Sequence, residues 1–224
     1  AAPSAGHWFG TDELGRDLLS RVLFGARVTL AVGLLSALIA AAVGIGIGAL
    51  TGYAGGLMDV VPMRVTDAML AVPRLPLLMI AGAVLAPSVP TLIVLIGLAG
   101  WMETARVVRA EFLSLKEREF VVASRAAGAT GWRIVFRHLL PNATPSIMVS
   151  ITLAVGRGML LESALSFFGV GVQPPTPSWG NMLYQAQTTM STGPWLALFP
   201  GLCIFLTALG INVVGESLAG PDRA

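Results

Sequence analysis

Apolar residues in this chain come in long unbroken runs and do not alternate with polar ones as along a half-buried strand. Residues 28–50 pass 23 positions without a charge, and residues 75–102 pass 28. A helix needs ~20 apolar residues to cross ~30 Å of hydrocarbon, so each run predicts a membrane span, and the missing alternation argues against a membrane barrel. The second run would reach ~42 Å as a single helix at 1.5 Å per residue. It also contains Pro87-Ser88-Val89-Pro90, which should break it, so two spans are expected, at residues 63–86 and 91–112. With further runs at 143–172 and 196–214, the pattern predicts five spans.

The segments between runs have their own signatures. In residues 7–27, Leu14, Leu18, Leu19, Val22 and Leu23 can form one helical face among Asp12, Glu13, Asp17, Arg16, Arg21 and Arg27. This predicts an interfacial helix leading into the first span. Gly55, Gly56 and Pro62 make residues 53–63 a connection, and Pro174, Pro175, Pro177 and Pro194 make the uncharged segment 173–195 irregular. Trp179, Tyr184 and Trp195 are expected there as interface anchors. Gly44, Gly48 and Gly52 recur every fourth residue and should let another helix approach closely. The spacing Gly44-x-Gly46-x-Gly48 resembles a nucleotide loop but lies within an apolar run with no strand before it, which favours packing.

Composition agrees with this picture. Hydrophobic residues make up 55% of the 224, charged residues 12%, and mean hydropathy is +0.79, whereas soluble domains carry about a quarter charged residues. The expected fold is all-α, a polytopic membrane bundle. A net charge of +2 gives no basis for nucleic-acid binding. Residues 101–141 hold seven of the 14 Lys and Arg residues, which places that stretch in the cytoplasm by the positive-inside rule. The amino end is then outside and the carboxyl end inside, an orientation that Arg16, Arg21 and Arg27 oppose. Cys203 is the only cysteine, so no intrachain disulfide or Cys-rich metal site can form. Residues 1–8 lack the basic and apolar parts of a signal peptide.

The densest mixture of charge, apolar residues and turn chemistry is 119–142, EFVVASRAAGATGWRIVFRHLLPN. Its small-residue run favours helix, Gly128 suits a left-handed helix end, and Thr130 can cap a second helix expected to stop near Pro141. Catalytic chemistry is poorly represented elsewhere. Lys116, the only lysine, stands in no phosphate-cradling loop; His7 and His138 cannot make a His-Glu-x-x-His zinc site; no Gly-x-Ser-x-Gly occurs. An enzyme is therefore disfavoured, and His138 reads as a surface or interface residue. Arg157 and Glu162 sit inside a predicted span, where charges face protein or water. They project ~140° apart on a helix, so each should find its partner on another helix. Packing is one role for them and a polar pathway the other; Asp67 and Arg74, nearer a membrane boundary, pose the same choice.

These residues resemble the EAA loop of bacterial ATP-binding-cassette importer permeases, Glu-Ala-Ala-x3-Gly-x9-Ile-x-Leu-Pro. Ala123, Gly128, Leu140 and Pro141 match the pattern, while Val122, Ser124 and His138 depart from it. The stretches HWFGTDELGRDLLSRVLFGAR, RIVFRHLLPN, ESALSFFGVGVQPPTPSWGNML and PWLALFPG are similar to the second permease subunit of the dipeptide/oligopeptide/nickel branch. The resemblance implies a six-span architecture of the type I importer kind, with the first span lying before residue 1. It divides the chain into an extracytoplasmic or interfacial segment, 1–27, and a permease domain, 28–224, whose cytoplasmic coupling loop is 113–141. It further implies that Glu119, Val122, Ala123, Ser124, Arg125, Ala127, Gly128, Ala129 and Arg133 form the surface that couples to an ATPase. Asp67, Arg157 and Glu162 are the candidates for lining the pathway.

The implied partners are a second homologous permease, two cytoplasmic ATPase subunits, an extracytoplasmic binding protein touching residues 7–27 and 173–195, and the bilayer of a bacterial inner membrane. No cofactor or metal is expected in this chain, with ATP and Mg in the partner subunits. Peptides are the expected cargo, with nickel chelates or another small solute as the alternative. An ion-driven secondary transporter using Asp67, Arg157 and Glu162 is the alternative from another class, and uptake by a preparation without any ATPase would favour it. Hydropathy alone also allows a membrane scaffold.

Overall fold

Asp17 sets the start of the central helix: its carboxylate accepts the Ser20 N–H at 2.8 Å and caps α1 (Leu18–Ala54). That hydrogen bond, and one with His7, hold the Asp17 carboxyl down to about 2. In this computed structural model, residues 1–85 and 88–219 are described. Of the interfacial helix expected over 7–27, only residues 18–27 are helical, as the first turns of α1. Residues 1–17 fold as turns, because the Asp12 carboxylate accepts the Leu14 and Arg16 N–H groups, which a helix would have used otherwise. Asp12 also pairs with Arg16 and Arg21, two of the three arginines that oppose the orientation. The Arg27 guanidinium lies 5.0 Å over the Phe24 ring.

Helix α1 is the axis of the bundle and packs against α4 (Val89–Leu98), α5 (Trp101–Leu115) and α8 (Leu140–Phe167). The glycine stripe does what its spacing predicts. A Cβ on Gly44 would meet Thr104 Cβ at 2.7 Å, one on Gly48 the Ala105 carbonyl at 2.5 Å, and one on Gly52 Phe112 Cβ at 2.6 Å. A second close approach joins α1 to α8, where Gly158 leaves room for Ser36 and Gly33 for Met159.

Instead of the connection expected over 53–63, only Gly55 and Gly56 separate α1 from α2 (Leu57–Ala71), both at positive φ, and Pro62 is carried inside the helix. The second span is not the single straight helix expected over 63–86. Val72, extended because it precedes Pro73, ends α2, and α3 (Arg74–Val84) leaves at 84°. Ala86 and Pro87, at the expected break, lie outside the described residues. Ser88 caps α4, and α4 and α5 together make one apolar length, Val89–Leu115.

After α6 (Glu119–Ala126), α7 (Gly131–Ile134) and a π turn (Val135–Leu139) lead into α8. The chain then passes α9 (Trp179–Ala186) and a short 3₁₀ turn to α10 (Trp195–Ala219). Among the described residues four helices are long and apolar enough to span, and the bent pair α2–α3 makes a fifth. Apart from two isolated bridges, the described residues are helices and turns.

The segment 173–195 is more ordered than its prolines suggest. Ser178 caps α9, and Trp179 is buried core, not an interface anchor: its indole N–H donates to the Val22 carbonyl at 2.9 Å and its backbone N–H to Thr29 at 3.2 Å. Tyr184 is half exposed and Trp195 partly buried.

Candidate functional site

The helix–bend–helix of 119–142 is built by its turn chemistry. Gly128 has φ +81°, and two hydrogen bonds close the end of α6: Gly128 N–H to the Arg125 carbonyl at 3.0 Å, and Ala129 N–H to the Ser124 carbonyl at 3.1 Å. Thr130 then caps α7 by accepting the Arg133 N–H. Val121, Ile134 and Leu139 are buried with Val108 and Phe112, which anchors the unit on α5. Gly131 sits against the Tyr53 ring at the end of α1, where a Cβ would meet the phenol oxygen at 2.7 Å.

The expected stop at Pro141 does not occur. Proline lacks the N–H that an α-helix needs, and its ring crowds the carbonyl four residues back. The π turn absorbs this: Leu140 N–H reaches back five residues to the Val135 carbonyl, and the helix runs on from residue 131 to 167.

What remains outside is a continuous surface. Glu119, Val122, Ala123, Arg125, Ala127, Gly128 and Arg133 are exposed, and Ser124 and Ala129 are partly so. Trp132, 74% exposed, meets the exposed Phe136 with ring centroids 4.0 Å apart and planes tilted by 40°, and Phe120 lies 6.3 Å from His138. The His138 Nε2 and the Ser124 hydroxyl are 3.1 Å apart, tying α6 to the π turn.

The charged residues of the bundle pair across helices. Arg109 engages both Asp59 oxygens, and Arg106 donates to Asp67 at 2.7 Å. Glu103, which sequence reading left out of the site, receives two arginines. Arg74 Nη2 donates to its Oε1 at 3.0 Å, and Arg157 Nη2 lies 2.8 Å from Oε2, an ion pair without hydrogen-bond alignment. The sequence signal was one acidic residue in a span, matched by an arginine in each of two others.

Glu162 is fully buried and pairs with no cation among the described residues. Thr29 donates to it from α1 at 3.0 Å, and Ser166 at 2.8 Å from its own helix; Ser163 and Ser178 complete a cage of hydroxyls. Arg157 and Glu162 thus use different partners, as their angular separation requires. Among the described residues no group of three His, Cys, Asp or Glu could hold a metal ion.

At the other end of the bundle, residues 12–21 and 174–196 enclose a cavity of about 530 Å³ lined by Asp12, Glu13, Arg16, Pro174, Pro175 and Gln185 among others. Glu13 accepts the Thr188 hydroxyl at 3.2 Å across it.

Residues 44–220 match the family described as binding-protein-dependent transport system inner membrane component. A dipeptide transport system permease protein of Alkalihalophilus pseudofirmus is 40% identical over 216 residues, covering 96% of this chain and 71% of that protein. A glutathione transport system permease protein of Pectobacterium atrosepticum is 39% identical, covering 96% and 72%. An oligopeptide transport system permease protein of Bacillus subtilis is 39% identical, covering 96% and 71%. In fold, the chain is similar to one in the inward-facing MetNI methionine ABC transporter, with TM-score 0.74 at 20% identity over 93% of this chain and 98% of that one.

Proposed function

We infer that this chain, which belongs to the binding-protein-dependent transport system inner membrane component family, is one permease subunit of an ATP-driven importer whose cargo is peptides. The names of its relatives, which concern dipeptides, oligopeptides and glutathione, support the cargo class. In this reading a second permease supplies the other half of the pathway, and two cytoplasmic ATPase subunits bind ATP and Mg. A binding protein delivers peptide at the end that carries residues 1–17 and α9. The loop 119–142 and the carboxyl end face the cytoplasm of a bacterial inner membrane. This chain converts motion and breaks no bond.

The observation that carries the coupling role is mechanical. The exposed α6 is closed onto α7 by a tight glycine turn, and α7 continues through the π turn into α8 as one 37-residue helix. Closure of an ATPase pair against α6 would then move α8 as a lever, and with it Arg157, without local unfolding.

Gly128→Asp tests this reading. No atom lies within 4 Å of a Cβ built at Gly128, so the bundle should assemble; but φ +81° is strained for aspartate, and a charge enters the docking surface. Reconstituted mutant complex should hydrolyse ATP with peptide uptake reduced by about tenfold, the effect of losing roughly 1.4 kcal/mol of coupling. Uptake per ATP equal to wild type would overturn it.

A further inference from the structure

The Arg74–Glu103–Arg157 cluster has more donors than it uses. At 1.5 Å per residue, Arg74, Glu103 and Arg157 lie ~15, ~21 and ~15 Å from the Val84, Val89 and Phe167 ends of their helices. Those ends share one side of the bundle, since Gly82 sits against Val170 and Leu78 packs with Leu92 and Leu165. All three charges are therefore near mid-depth of a ~30 Å hydrocarbon layer, where ionised groups are costly unless they face protein or water. Two guanidiniums share the one Glu103 carboxylate. Each guanidinium has five N–H donors, and Glu103 takes one aligned bond from Arg74 and an unaligned contact from Arg157.

The cluster is also open. The side chains of Arg74, Glu103 and Arg157 are 22%, 34% and 40% exposed. Glu103 and Arg74 line a cavity of about 550 Å³ with Pro73 and Met102, and Glu103 and Arg157 line another of about 430 Å³ with Glu111, Ser146 and Ser150. Both are of the size that holds a small ligand. A purely structural clamp would bury its arginines and align its hydrogen bonds. Arg157 does neither.

We propose that Arg157, backed by Arg74, is a carboxylate-binding station of the translocation pathway, which takes the terminal carboxylate of a passing peptide while Glu103 holds the guanidiniums when no cargo is there. A guanidinium fork matches a carboxylate with two parallel bonds. Glu103 competes with that carboxylate, which keeps the station weak enough for cargo to leave. The proposal rests on the peptide-importer reading.

The test compares ATP-driven uptake of Ala-Ala with that of its C-terminal amide. It uses proteoliposomes holding the whole permease–ATPase complex with its binding protein, each probe at a concentration that saturates the binding protein. Wild type should take up the free acid about tenfold faster, the effect of one charge-assisted hydrogen-bonded contact. In Arg157→Gln that ratio should fall to near one. A wild-type ratio of one, or an unchanged ratio in the variant, overturns the station. Should Arg157→Gln not assemble, Arg157→Lys keeps the charge without the fork; a reduced preference is expected and an unchanged one overturns the proposal. Uptake of neither probe by wild type would remove the peptide reading itself, whereas equal uptake of both removes only the station.

Discussion

Single glycines on α1 divide into those that another backbone touches and those that none does. A Cβ on Gly48 would stand 2.5 Å from the Ala105 carbonyl, a backbone atom that cannot swing away, while one on Gly46 meets nothing within 4 Å. Gly48→Ala should therefore push α1 from α5 and cost about 1–3 kcal/mol, the usual range for overpacking. Gly46→Ala should be neutral or slightly stabilising, because alanine is the better helix former. Thermal unfolding of the two purified variants in detergent separates them, and equal midpoints would contradict the packing argument. The four-residue repeat of Gly44, Gly48 and Gly52 was legible in the sequence, since a helix puts those positions on one face. That α5 lies against them, and that Gly33 and Gly158 open a second approach to α8, depends on tertiary fit that no local pattern encodes.

At the scale of elements, the positions of the spans were legible because long apolar runs state the burial requirement directly. Their internal breaks were less so. The bend between α2 and α3 comes from one proline, Pro73, acting on Val72, and Pro62, Pro145 and Pro200 lie inside helices without ending them. A proline removes one N–H and crowds the carbonyl four residues back, so whether it stops a helix depends on the tertiary packing around it and not on the proline alone. At Pro141 a π turn accommodates the proline, with Leu140 N–H bonded to the Val135 carbonyl. The helix–bend–helix of 119–142 was legible from its Gly and Thr signals, while Glu103 was missed because its two arginines are 29 and 54 positions away in the chain. The Ser124–His138 contact, the side-chain tie between α6 and the π turn, gives a test at this scale. His138→Ala should leave assembly intact and reduce uptake per ATP by about threefold, the loss of one partly exposed hydrogen bond. His138→Gln, which can still reach Ser124, should retain most of it. Equal ratios in both variants and wild type would show that α6 needs no such tie.

At the scale of the whole molecule, the two ends of the bundle differ in charge as well as in shape. Arg118, Arg125, Arg133 and Arg137 collect around α6 and α7, whereas α9 and its flanks, residues 173–195, carry no charge at all. Asp12 pairs with two of the arginines near the other end. The positive-inside rule counts arginines and not net charge, so this pairing does not by itself fix the orientation, and accessibility has to. In a Cys203→Ala background, Thr192→Cys, exposed beside α10, should react with a membrane-impermeant maleimide on intact cells. Arg118→Cys, exposed before α6, should react only after permeabilisation. The reverse pattern would invert the bundle and put the coupling loop where no ATPase can reach it. A third cysteine separates orientation from docking. Val122→Cys, 54% exposed on α6, should react readily in inside-out vesicles stripped of ATPase subunits and several-fold more slowly once they are restored, because a docked surface excludes the reagent. Labelling of Val122→Cys that ignores the ATPase, with Arg118→Cys still reactive from the cytoplasm, would leave the orientation standing and move the docking surface off α6.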